Sequence, residues 1–151
     1  MTGDDAPKRA HLNDERPSIT HEFCILTAVE THKFKLTCGM YPNGRLGEVF
    51  LAVGKEGSQL GGTVDALAIS LSIGLQHGVP LSSYTHKLRY MQFEPSGFVQ
   101  GAPTELLRSI SYSSFNAKSP ADYLAAYLDW KFPRGVLRTQ DRDQILRVPA
   151  G

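Results

Sequence analysis

The residues best placed to do chemistry are those of Gly54–Gly62, Gly-Lys-Glu-Gly-Ser-Gln-Leu-Gly-Gly. They lie between a run of strand-forming residues and a long apolar helical pattern. Glycine backbone takes left-handed conformations and lets a partner approach closely. A helix start presents free N–H groups and a positive dipole end, which together suit an anion. Lys55, Gly57, Ser58 and Gln59 are the expected contacts of a phosphate group there. Arg45, in the preceding turn, and Lys87 and Arg89, on a later helix, are expected to add phosphate-directed charge. Two features weigh against this: Glu56 sits in the same loop, and the spacing is not that of a P-loop. The glycines would also serve simply to let the helix pack tightly on a sheet.

A second candidate is the line Tyr123, Tyr127 and Trp130, spaced to share one helix face. Such rings can stack on a nucleobase, or they can fill a core or a dimer interface. His32, His77 and His86 show no pairwise metal spacing, so no metal site is expected. Asp65 suits the helix dipole near a helix start. No serine sits on a nucleophile elbow. Cys24 and Cys38 fall in no CxxC pattern and are expected as free thiols.

These residues must be held by elements that the pattern predicts in order. Strands are expected over about 23–30, 33–40 and 48–53, with Phe34, Leu36 and Cys38 alternating against lysines and a threonine. Pro42-Asn43-Gly44 predicts the hairpin turn between the second and third. Helices are expected over about 63–77, 82–90 and 120–132. Val64, Leu67, Ala68, Leu71 and Leu75 form one stripe of the first, and Ala66, Ile69 and Ile73 a second. A helix apolar on two sides is covered on two sides, which predicts a second helix or a homo-oligomer contact. Gly78 and Pro80 stop it. Ser119, Pro120 and Asp122 make a strong start for the last helix. The fold class is therefore α+β: a small, mostly antiparallel three-stranded sheet with helices on one face. Residues 1–20 are expected as a flexible arm, 21–133 as one domain and 134–151 as a partly ordered tail.

The chain has 151 residues, 41% hydrophobic and 21% charged, with a net charge of +1. That balance gives no bulk attraction to nucleic acid or anionic membrane. No apolar run reaches the roughly 20 residues of a membrane span, and the N-terminal stretch has no secretory pattern. A cytoplasmic protein is expected.

Several short motifs, in order, carry a resemblance: Thr31–Phe34 (THKF), Gly47–Leu51 (GEVFL), Gly54–Ser58 (GKEGS), Leu75–Leu81 (LQHGVPL) and Phe93–Gly97 (FEPSG). Together they resemble the TSCPD domain near the C-terminus of adenosylcobalamin-dependent (class II) ribonucleotide reductases. Ala117–Phe132 (AKSPADYLAAYLDWKF) resembles the helix that closes the same region, and the connection over 98–116 departs from it. The resemblance implies a non-catalytic, nucleotide-binding accessory module, with no cofactor and no catalytic residue of its own. Nothing here resembles the reductase's barrel, radical thiol, reducing cysteine pair or cobalamin site. Two other roles fit the same resemblance. One is a protein–protein adaptor for a separately supplied reductase subunit or DNA-synthesis enzyme. The other is a binder that sequesters a signalling nucleotide.

Overall fold

The computed structural model describes residues 8–54 and 57–146. Its centre is an antiparallel sheet of five strands in the order β3-β2-β1-β4-β5. The strands are β1 (Ser18–Leu26), β2 (Thr31–Met40), β3 (Leu46–Val53), β4 (Gly97–Gln100) and β5 (Asn116–Ala117). The α+β class holds, but the three strands expected from the sequence become five. β4 and β5 have four and two residues, too few to show an alternation. Close backbone approach gives β4 its glycine: a Cβ on Gly97 would lie 2.1 Å from the Leu26 carbonyl oxygen.

The register sorts the side chains onto two faces. Phe23 opposes Phe34, and Leu36 opposes Leu51. These residues, with Ile25, Cys38, Val49 and Val99, form the buried face. Thr20, Glu22, Lys33, Lys35 and Phe50 lie on the opposite face and are exposed. Cys24 opposes Lys33, while Cys38 opposes Ile19. The two thiols therefore sit on opposite faces, five positions apart along β1, or about 17 Å at strand rise. Both are free, and burial holds the Cys38 thiol above the usual thiol range.

Five helices cover the buried face: α1 (Gln59–Gln76), α2 (Leu81–Leu88), α3 (Thr104–Ser109), α4 (Pro120–Lys131) and α5 (Thr139–Ile145). α1 lies along β3, the edge strand. The Ser72 hydroxyl accepts from Val49 N at 2.8 Å and lies 3.1 Å from Val49 O. Gln76 Nε2 donates to Gly47 O at 2.9 Å. The helix thus satisfies outward backbone groups that a neighbouring strand would otherwise take. Its first apolar stripe is buried at Val64, Ala68, Leu71 and Leu75. Ile69 and Ile73, on the second stripe, remain 50% and 43% exposed.

α4 is buried on all sides from Pro120 to Leu128. Ser119 caps it, accepting from Asp122 N at 3.0 Å, as the sequence predicts. Asp122, 1% exposed, does more than meet a helix dipole. Its carboxylate accepts from Tyr90 N at 2.8 Å, from Lys118 N at 2.9 Å and from the Arg89 guanidinium. These bonds tie α2, the segment before α4 and α4 itself together.

Part of the stretch expected as a flexible arm makes contacts with the domain. β1 begins at Ser18, and the segment before it is tied down by polar contacts. Ala10 N donates to Gln76 O at 2.8 Å, Arg16 pairs with Glu48 at 2.7 Å, and Met40 N donates to Pro17 O at 2.9 Å. Polar bonds of this kind leave no apolar period to read. Residues 1–7 of that expected arm lie outside the described residues.

An aromatic cluster joins β1 to α4. His21 stacks on Tyr127 with centroids 4.5 Å apart, and Phe23 meets Tyr123 at 4.5 Å. Burial raises the Tyr123 phenol, so it stays protonated, and its hydroxyl hydrogen-bonds with His21 Nε2 at 2.8 Å. Burial first, and the Lys131 charge second, depress the His21 imidazole to about 4 from 6.5. Above pH 6.5 the ring is neutral whether the chain is folded or not. As pH falls below 6.5 the unfolded chain gains a proton that the folded chain refuses until about 4. Stability contributed here is therefore complete above 6.5, declines between 6.5 and 4, and is flat below. Urea melts across that range are expected to show this decline, and His21→Phe is expected to remove much of it. An equal decline in His21→Phe would contradict the assignment.

Candidate functional site

The glycine-rich stretch spans the end of β3 and the start of α1. α1 begins at Gln59, four residues before the sequence predicts. Ser58 is the reason: its side chain accepts from Gly61 N at 3.0 Å and its carbonyl from Gly62 N at 3.0 Å. The cap turns Gln59–Gly62 into the first helical turn despite two glycines. The N–H groups of Gln59 and Leu60 have no acceptor within the helix. They point out of its positive end.

Three of the four glycines, Gly54, Gly57 and Gly62, are not there for packing. A Cβ built at Gly54, Gly57 or Gly62 would meet nothing within 4 Å. Gly57 has φ +75°, which only glycine adopts freely, so its role is conformational. Gly54 and Gly62 carry no such requirement and simply leave the surface bare. Two shallow grooves flank the turn. One, about 390 Å³, runs between Leu51–Val53 and Ser58, Gly62 and Asp65. The other, about 370 Å³, is lined by His32, Lys33, Gly54, Ser58 and Leu60. His32 Nε2 lies 3.3 Å from Glu30 Oε2 beside it.

The structure gathers only part of the expected set. Gly57, Ser58 and Gln59 are together at the helix start, and Lys55 lies outside the described residues. Arg45, Lys87 and Arg89 line neither flanking groove. Arg45 belongs to the β2–β3 turn, and β3 runs away from that turn before α1 returns. It therefore sits by the C-terminal end of α1. Lys87 is exposed on α2. Arg89 is spent on Asp122, with its guanidinium 4.1 Å from the Tyr90 ring centroid. The cation that does line the site is Lys33, with His32 beside it. Its signal was the β2–β3 hairpin, whose register brings Phe34 level with Val53 and Lys33 beside Gly54.

The expected stacking residues are corrected. Tyr123 and Tyr127 are 0% and 3% exposed, and their rings fill the core. Trp130 is half-buried beneath Arg138, whose guanidinium lies 4.3 Å from a ring centroid. None of the three offers a free ring face to a base. Among the described residues no three His, Cys, Asp or Glu side chains converge as metal ligands. None of the described helices is long and apolar enough to cross a membrane.

The TSCPD domain model matches residues 6–132. A vitamin B12-dependent ribonucleotide reductase of Rhodopirellula baltica is 38% identical over 129 residues, 85% of this chain. One from Streptantibioticus cattleyicolor is 41% identical over 104 residues, 69% of the chain. The matched stretch covers 11% and 17% of those two relatives' own lengths. No solved structure matches the chain.

Opposite effects are expected at two of the glycines. Gly57→Ala is expected to cost about 1 kcal/mol, because of its positive φ. Gly62→Ala is expected to stabilise by about 0.5–1 kcal/mol, being helical and facing open space. Thermal melts of the two variants check both signs, and a loss at Gly62 would show that something packs there.

Proposed function

This chain belongs to the TSCPD family, and on that premise we propose that it is a non-catalytic accessory module of ribonucleotide reduction that holds a nucleotide by its phosphates at the N-terminal end of α1. The observation that carries this reading is the bare surface at Gly54 and Gly62 beside two outward N–H groups. A tetrahedral anion needs that combination: donors converging at a positive helix end, and no side chain to keep the oxygens away. Lys33, and Lys55 within the same loop, supply the countercharge. The grooves on either side give the remainder of the nucleotide somewhere to lie. A non-catalytic role fits the thiols, since Cys24 and Cys38 on opposite sheet faces make no dithiol pair. The exposed Ile69 and Ile73 stripe supports self-association of the module through α1.

Calorimetric titration with nucleoside mono-, di- and triphosphates tests the site. Binding at the N-terminal end of α1 is expected. Lys55→Ala and Gly62→Glu are each expected to weaken it by about tenfold or more, about 1.4 kcal/mol. Gly62→Glu places a carboxylate where the helix dipole welcomes it and a phosphate does not, so its melting temperature is expected to hold. Absence of binding across the panel, or unchanged affinity in both variants, would overturn the reading.

A further inference from the structure

A cavity of about 580 Å³ lies at the other end of α1. Eighteen residues of helix separate it from the glycine-rich turn, about 27 Å at helical rise. Its walls come from the β2–β3 turn, the last residues of α1 and the segment around Lys8 and Ala10. That segment is fastened: Ala10 N donates to Gln76 O, Arg9 Nε donates to Gln76 Oε1 at 2.6 Å, and Tyr41 Oη donates to Ala10 O.

The charge in this cavity is one-sided. Among the described residues Lys8 and Arg45 line it together with His77, and no carboxylate does. Among the described residues the Lys8 ammonium and the Arg45 guanidinium have no ion-pair or hydrogen-bond partner. Arg9, alongside, is engaged by a neutral amide, so its charge is not cancelled. The Glu48 carboxylate, whose field reaches Tyr41, is held by Arg16 at 2.7 Å. The negative end of α1 is muted as well. Gln76 O accepts from Ala10 N, and Ile73 O from His77 N and from the His77 ring at 2.8 Å. The floor is apolar, from Leu75, Pro42 and the Tyr41 ring.

We propose that this cavity is a second, independent anion site, in which Arg45 and Lys8 bind the phosphoryl group of a small phosphate ester while Tyr41, Pro42 and Leu75 receive its organic part. Arg45 is the expected principal ligand. Its guanidinium offers a planar pair of donors to two phosphoryl oxygens, and its backbone is preset by the Asn43 side chain, which accepts from Arg45 N at 2.9 Å. A cavity of this volume holds a ligand of nucleotide size.

NMR titration of the labelled protein with inorganic phosphate, and then with adenosine monophosphate, separates this site from the glycine-rich turn. Amide shifts are expected at Asn43–Gly47 and Gln76–Gly78 with both probes, and tighter binding with the ester than with inorganic phosphate. Arg45→Ala is expected to weaken binding there by about tenfold or more and to leave any response at Ser58–Gly62 unchanged. Arg45→Lys is expected to recover part of the affinity. Because Arg45 is exposed and its head is unpaired, its variants are expected to melt as the parent does. Silent amides at 43–47 and 76–78, or identical shifts in Arg45→Ala, would overturn the proposal. Either result leaves the glycine-rich site standing.

Discussion

Ser72 is the residue on which the arrangement of this molecule turns. An edge strand exposes backbone groups that must be paired, covered or wetted. Here the Ser72 hydroxyl meets both outward groups of Val49, and Gln76 takes the carbonyl of Gly47. The longest helix is thereby fixed in register along β3. That register decides what lies at each of its ends. The N-terminus falls beside the end of β3, where the glycines leave the surface bare. The C-terminus falls beside the β2–β3 turn, where Arg45, His77 and the fastened N-terminal segment enclose a basic cavity.

Around this frame the interior is organised by α4. It is too buried to show a polar face, and its partners account for that. Tyr123 and Tyr127 pack against β1, and Asp122 gathers two backbone N–H groups and a guanidinium. Removing one partner of such a pair leaves a charge stranded without water. Arg89 and the two tyrosines are thus occupied with holding the fold.

The first three strands and the first and last long helices were legible because each carries a periodic apolar pattern or a capping group. The Ser119-Pro120 start of α4 is one such group, and the Phe34–Leu36–Cys38 alternation of β2 is another. β4 and β5 were not legible, because two to four residues held by backbone pairing have no period. The segment before β1 escaped for a related reason: single polar bonds, such as Arg16 to Glu48, leave no trace in hydrophobicity. At the site, the glycines marked the connection between β3 and α1 but set the helix start four residues late, because Ser58 caps a first turn that contains two of them. Sequence proximity then misplaced Arg45, because β3 carries the chain away from its turn before α1 brings it back. The spacing of Tyr123, Tyr127 and Trp130 shows a shared face but not whether that face looks inward.

The central claim is that the first turn of α1 offers donors which a nucleotide phosphate takes. Amide hydrogen exchange at Gln59 and Leu60, with and without a saturating nucleoside triphosphate, addresses those donors directly. Neither has an acceptor within the helix, so both are expected to exchange fast in the free protein and to slow by about tenfold or more when a phosphate oxygen accepts from them. Unchanged exchange at both amides, under conditions where the nucleotide is bound elsewhere on the chain, would contradict the account.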